Sequence, residues 1–339
     1  MKIQSKCFGC GKSFDLLKQF TFCPICSGAL VSEGQETKIF FQYLLKKYQW
    51  LSLGEGNTSL ICLENNLFAK CETQNPTGSF KDRGSLLEVA FALENNYKTL
   101  VFASTGNMAV SLSAYCAKAK IKCRVLVPKN TPPEKIELPK LYGAEIEVVD
   151  GNYDLAASLA IKESLTGKKM LAGDYLLRRV GQESCGREIA GEVSNVDWLI
   201  VPIGNGTIFS SVTDGYFGSA KNFSTKMIGV QGKKCNPVFR AWKNNEQIVP
   251  LVQPETVGVF FKVGNPGDGS LVLDCLKKSE GVIIEASDKE LIKAKNDLAR
   301  NYGLLVNYAS ASVWAAYEKL MKKKVIKSKD KVVLVLTGR

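Results

Sequence analysis

Three short stretches of the 339-residue chain set chemically active side chains among turn-forming neighbours. The first is Asn75-Pro76-Thr77-Gly78-Ser79-Phe80-Lys81-Asp82-Arg83-Gly84, which feeds a helix running on through Leu86 to Leu93. Lys81 then falls in the first helical turn, where the positive end of the helix dipole disfavours a second positive charge. With apolar cover from Phe80, the pKa of its amine should drop and the amine become nucleophilic, as a Schiff-base lysine requires. A lysine near a helix start is otherwise an ordinary solvated residue. The second stretch, Ser104-Thr105-Gly106-Asn107-Met108, follows an apolar run ending at Ala103 and opens a helix. Hydroxyls and backbone N–H groups at a helix N-terminus suit a carboxylate, although the same residues also make a plain N-cap. The third, Pro202-Ile203-Gly204-Asn205-Gly206-Thr207, carries glycines that let the backbone approach a phosphate. It has neither the third glycine of GxGxxG nor a GK[ST] ending, so it is no dinucleotide fingerprint and no P-loop.

A fourth constellation concerns metal. Cys7, Cys10, Cys23 and Cys26 stand in a C-x2-C-x12-C-x2-C pattern with Gly9, Gly11, Pro24 and Gly28 nearby. Four thiolates in two knuckles suit a closed tetrahedral structural zinc; the alternative is four free or redox-active thiols. About thirty residues cannot bury a sufficient core alone, so ligation would fold the segment. The other seven cysteines are scattered and read as small buried apolar residues. No apolar secretion segment follows the N-terminus, and no run approaches the ~18 apolar residues of a membrane span. A reducing cytoplasm is the expected compartment.

Composition narrows the chemistry further. The chain has no histidine, which excludes Ser-His-Asp and Cys-His nucleophile systems and every His-ligated metal site. Acid–base work falls to Lys, Asp, Glu, Tyr or a cofactor. The net charge of +12 is dense only near the end, where Lys319, Lys322, Lys323, Lys324, Lys327, Lys329 and Lys331 cluster. No aromatic residues interleave these lysines, so they read as a solvated helix face and its exit loop, and nucleic acid is not the expected partner.

The elements that must position these loops follow an α/β pattern. Lys98 to Ala103, Cys123 to Val127, Ala144 to Val149, Trp198 to Val201, Met227 to Val230, Val282 to Glu285 and Val332 to Leu336 read as buried strands. Helical stretches lie between most of them, at Met108 to Ala119, Tyr153 to Ser164, Asp288 to Asn301 and Ser310 to Lys323, with Ser287 and Glu290 forming a capping box for the third. Alternation of this kind predicts right-handed βαβ units and mainly parallel sheets, with ligands at the carboxyl ends of the strands.

Taken together, an amine, a carboxylate cradle and a phosphate cradle make the sequence resemble the fold-type-II pyridoxal-phosphate enzymes, the tryptophan synthase β family, and within it the threonine synthases. Ser79 to Gly84 is similar to that family's lysine motif, and Gly54-Glu55-Gly56-Asn57-Thr58-Ser59-Leu60 to its upstream EGNTPL stretch with Ser for Pro. Asp150 to Asp154, Gly181-Gln182, Gly264-Asn265-Pro266 and Thr337-Gly338 match further signatures in order. A four-cysteine ribbon also occurs in some threonine synthases. The resemblance implies two parallel-sheet, three-layer domains plus a zinc ribbon: the ribbon over 1–33, a large cofactor domain over 34–95 and 190–339, and a small domain over 96–189. It implies that Lys81 bonds to the cofactor aldehyde and moves protons, and that Gly204, Asn205, Gly206 and Thr207 hold the cofactor phosphate. Asn107 would contact the pyridine hydroxyl and Thr337 the ring nitrogen. Ser104, Thr105 and Asn107 would take the substrate carboxylate, and a homodimer is the expected assembly for an oligomer of this kind.

The departures matter for the substrate. The family's substrate-phosphate stretch, roughly NSxNPxR, is here Ala172-Gly173-Asp174-Tyr175-Leu176-Leu177-Arg178. Arg178 remains as an anion contact, but two donors are gone and a carboxylate has entered, which weakens binding of a dianion. Three readings therefore stand: a threonine synthase; a related β-replacement or β-elimination enzyme on serine, threonine, phosphoserine or a specialised-pathway amino acid; and a zinc-ribbon nucleic-acid-binding or regulatory protein with an inactive cofactor domain.

Overall fold

The computed structural model describes residues 2–18, 21–220, 224–258 and 261–339. Three short strands begin the chain: β1 (Gln4–Cys7), β2 (Ser13–Asp15) and β3 (Leu30–Glu33), ordered β2-β1-β3 and antiparallel throughout. Helix α1 (Gly34–Lys47) follows, then the antiparallel pair β4 (Leu60–Glu64) and β5 (Leu67–Cys71). The alternating part runs α2 (Lys81–Glu94), β6 (Thr99–Ala103), α3 (Asn107–Ala119), β7 (Lys122–Pro128), α4 (Glu134–Leu141), β8 (Glu145–Val149), α5 (Tyr153–Ser164), β9 (Met170–Leu171) and α6 (Leu176–Glu192). It continues through β10 (Trp198–Pro202), α7 (Thr207–Phe217), β11 (Lys226–Gly232), α8 (Pro237–Asn244), α9 (Gly269–Lys278), β12 (Val282–Ala286), α10 (Asp288–Tyr302), α11 (Tyr308–Lys322) and β13 (Val332–Leu336). The seven strands and four helices expected from apolar runs are all present. No described helix is long and apolar enough to cross a membrane.

The chain divides into two compact units, residues 1–55 with 81–181 and residues 56–80 with 182–339. Residues 34–55 and 81–95, expected with the large domain, belong instead to the first unit, and 182–189 to the second. The reason is packing: Phe40, Phe41 and Leu44 of α1 and Leu87, Val89 and Phe91 of α2 share one core with Leu112 and Tyr115 of α3 and Leu100 and Phe102 of β6. Each such side chain taken from water contributes about 1.5–3 kcal/mol, so the two helices follow the sheet they cover. That sheet is parallel, ordered β8-β7-β6-β9.

The second unit holds a six-stranded sheet ordered β12-β11-β10-β13-β5-β4, parallel except for the β4 edge. Helices α10 and α11 pack in one apolar cluster with Leu334 and Leu336, and α7 and α9 in another with Val333 and Val335. Alternate residues of β13 thus fill two cores, the mark of a sheet buried on both faces. The capping box forms as predicted: Ser287 N donates to Glu290 Oε2 (2.7 Å) and Glu290 N to Ser287 Oγ (3.4 Å). Lys70 on β5 is fully buried and ties the sheet to α6, donating to Glu188 and Glu192 (2.8 Å each) and to Thr58 O (2.7 Å).

Candidate active site

Lys81 is the first residue of α2, so its side chain leaves the helix where no preceding turn covers it. Burial lowers the pKa of its amine, outweighing the opposing pull of Asp174. The lowering expected from the helix dipole therefore occurs with desolvation as its main cause. Its Nζ hydrogen-bonds and ion-pairs with Asp174 Oδ1. Burial would raise the Asp174 carboxyl, but Lys81 and Arg178 hold it below its ordinary value.

Arg178, expected as an anion contact, sits against the lysine turn. Its side chain is wholly buried, and its guanidinium ion-pairs with Glu88 while donating to Lys81 O (3.0 Å) and Gly173 O (3.1 Å). Those contacts turn it inward, against the lysine turn. Glu88, whose carboxyl is pushed up by burial against the pull of Arg178, also accepts from Gly173 N (2.8 Å). Sequence reasoning passed over Glu88. The available signal was a lone carboxylate in the apolar run Leu86-Leu87-Glu88-Val89-Ala90, seven residues after Lys81 and on the same helix face.

In the same unit, Ser104 and Thr105 lie between β6 and α3, and Asn107 is the first residue of α3. Gly106 is the N-cap of α3 and no side chain caps the helix; Ser104 Oγ accepts from Gly106 N at 3.3 Å. The plain N-cap alternative is thus absent, and the first-turn N–H groups remain uncapped by side chains.

The second unit carries the other two groups. Gly204, Asn205 and Gly206 connect β10 to α7, whose first residue is Thr207, and among the described residues no side chain caps that helix either. Gly206 has φ +99°, and a Cβ there would lie 2.9 Å from Val272 and 3.0 Å from the Asp268 backbone. Asn205 Oδ1 accepts from Gly267 N (2.7 Å), and Asp268 N donates to Asn205 O (3.0 Å). The loop is therefore clamped by the residues just after the Gly264-Asn265-Pro266 stretch. Thr337 is buried, its hydroxyl 3.3 Å from Ser310 Oγ. Its carbonyl accepts from Phe80 N (3.0 Å), and Ser79 bridges to Gly338. Thr337 is thus held beside the residue that precedes Lys81 in the chain. Ser79 Oγ and both ends of the Gln182 amide are buried without a hydrogen-bond partner among the described residues. Polar groups left in this state belong where a ligand or water completes them.

At the N-terminus, the thiol sulfurs of Cys7, Cys10, Cys23 and Cys26 all lie within 4.8 Å of one another. Cys10 N and Ile25 N each lie 3.4 Å from a cysteine sulfur. A Cβ at Gly28 would approach the Cys7 and Cys26 sulfurs to 3.1 and 3.3 Å.

The fold and these loops define a class. The chain belongs to the pyridoxal-phosphate-dependent enzymes, whose family profile matches residues 51–338. Within that class its sequence is threonine synthase-like. It is 32% identical to the threonine synthase of Methanocaldococcus jannaschii, over 98% of this chain and 91% of that one. It is 33% identical to the threonine synthase of Halalkalibacterium halodurans, over 85% and 83%. Maize serine racemase shares the fold with a TM-score of 0.76 at 20% identity, covering 88% of this chain and 92% of the other. Threonine deaminase isoform 2 from Solanum lycopersicum gives 0.75 at 18%, covering 90% of each. The protein is a pyridoxal-phosphate-dependent lyase acting on an amino acid.

Proposed function

We propose that the enzyme is a threonine synthase, releasing phosphate from O-phosphohomoserine and adding water to give threonine. Likeness to threonine synthases along 98% of the chain carries this reading. The residues present fit the cofactor: an amine whose pKa burial lowers, a helix N-terminus where Gly206 leaves no room for a Cβ, and buried polar groups at Ser79 and Gln182 without a partner among the described residues. Pyridoxal phosphate, when bound, supplies an electron sink for negative charge developing at the substrate's Cα. In this reading Gly204, Asn205, Gly206 and Thr207 bind its phosphate through backbone N–H groups and the α7 dipole. Thr337 offers its hydroxyl to the ring nitrogen and Asn107 contacts the ring hydroxyl. Ser104, Thr105 and Asn107 take the substrate carboxylate at the start of α3. Lys81 holds the cofactor and, released from it, takes and returns the proton at Cα and Cβ; its depressed pKa leaves more of it as the free base.

The four cysteines form a structural zinc site in this reading, since a tetrahedron with Zn–S of about 2.3 Å has sulfurs about 3.8 Å apart, and the Cys7–Cys26 and Cys10–Cys23 sulfurs stand at 3.4 and 3.6 Å. The enzyme acts as a homodimer in the reducing cytoplasm, a compartment that eleven cysteines support.

The test is incubation of the purified holoenzyme with O-phosphohomoserine, following threonine and phosphate. No turnover by cofactor-loaded enzyme would refute the assignment. One observation favours a second reading, a β-elimination or β-replacement enzyme on an unphosphorylated amino acid. The carboxylate of Asp174 stands at Lys81 while Arg178 is engaged with Glu88. Turnover of serine or threonine in place of the phosphate ester would select it.

A further inference from the structure

We propose that Asp174 is the positioning residue for Lys81, its carboxylate fixing the direction of the amine whenever that amine is not bonded to the cofactor and opposing, without reversing, the loss of its proton to burial. The inference rests on the reading of Lys81 as the cofactor-bearing lysine. Three observations carry it.

Asp174 reaches Lys81 from a different part of the same unit, the turn between β9 and α6, and pairs with Nζ directly. That turn is fixed on both sides of Asp174. Gly173 donates its N–H to Glu88 and its carbonyl accepts from Arg178 Nε and Tyr175 N (2.8, 3.1 and 2.9 Å). A Cβ at Gly173 would meet the Tyr175 ring at 2.7 Å, and that ring stands edge-on to Phe22 at 5.1 Å. The carboxylate therefore has few other directions to take. Finally, Arg178 joins the two partners, with Nη1 on Lys81 O (3.0 Å) and Nε 3.7 Å from Asp174. Arg178 and Glu88 act on the pair, and Tyr153 and Tyr175 face Asp174 from α5 and the turn itself. Asp174 is the acidic member of that set that touches the amine. A carboxylate within hydrogen-bond reach favours the charged form of an amine.

The test reads the amine itself. The full chain, stripped of cofactor, is pulsed with acetic anhydride across a pH series, and acetylation of the Lys81 peptide is quantified by mass spectrometry against exposed Lys234. Asp174→Asn should lower the pH midpoint of Lys81 labelling by about one unit or more, and Asp174→Glu should recover most of the shift. Misfolding of the variant would move the midpoint the other way, toward that of an exposed lysine, and so cannot imitate the result. An unchanged or raised midpoint in Asp174→Asn overturns the proposal. Borohydride reduction of the holoenzyme separates the two levels: cofactor fixed at another lysine defeats the Lys81 reading and this inference with it. Cofactor fixed at Lys81 with an unmoved midpoint defeats only the role of Asp174.

Discussion

Replacing Lys70 by methionine tests whether the buried cation on β5 holds the second unit together. Its side chain is fully buried, yet its pKa is raised, because Glu188 and Glu192 outweigh the burial penalty. Methionine keeps most of the volume and removes the charge. Breaking a fully buried ion pair by deleting one partner costs about 3–5 kcal/mol. The two carboxylates here retain 16% and 37% side-chain exposure and can rehydrate, which discounts that figure. Thr58 O also loses its donor, so about 2–3 kcal/mol is expected. In a unit of this size each kcal/mol moves the midpoint by about 2–4 °C, giving a loss of roughly 4–12 °C. Calorimetry resolves the two units where they melt separately, and hydrogen exchange of the β5 amides reports the second unit directly. The sign with pH follows from the raised value: the contribution is full below the ordinary lysine value of 10.5 and is lost as pH rises through the folded one. Adding Glu188→Gln and Glu192→Gln to Lys70→Met should recover part of the loss, since no unpaired charge then remains. A Lys70→Met protein as stable as the parent at neutral pH, with unchanged β5 exchange, would refute the reasoning.

Gly206→Val should raise the dissociation constant for pyridoxal phosphate at least tenfold with little change in far-UV circular dichroism, since a side chain at φ +99° is strained and collides with Val272 and Asp268. Lys81→Ala should remove the visible absorbance that borohydride quenches in the parent enzyme. Cys7→Ser with Cys26→Ser should drop the zinc content measured by plasma mass spectrometry from one per chain toward zero, while the matching Cys62→Ser variant retains it. Asp174 contributes stability that is full above its ordinary value of 3.8 and is lost as pH falls through its lower folded value. Asp174→Asn should therefore flatten the urea midpoint against pH on the acid side, and an acid limb equal to the parent's would contradict the assignment.

Much of the fold is legible in the sequence because buried parallel strands leave continuous apolar runs and amphipathic helices leave a 3.6-residue period. Val332 to Leu336 and Lys98 to Ala103 needed no tertiary information. The short strands β1, β2 and β9 lack the length for either signal, and β4 is an edge whose burial alternates weakly. The grouping of α1 and α2 with the smaller sheet was not legible, since an apolar helix face does not state which sheet it covers.

The candidate site divides in the same way. The sequence alone determined the chemical parts: a lysine opening a helix, two helix N-termini suited to anions, four cysteines at knuckle spacing, and the absence of histidine that leaves acid–base work to such groups. These are local properties, fixed by neighbours a few residues away. Only the tertiary structure decided how the charges are partnered. Arg178 gives its guanidinium to Glu88, and Asp174, ninety-three residues from Lys81, is a group its amine touches. Electrostatic partnership depends on distance in space and on the water excluded between groups. Neither is written in the order of residues along the chain.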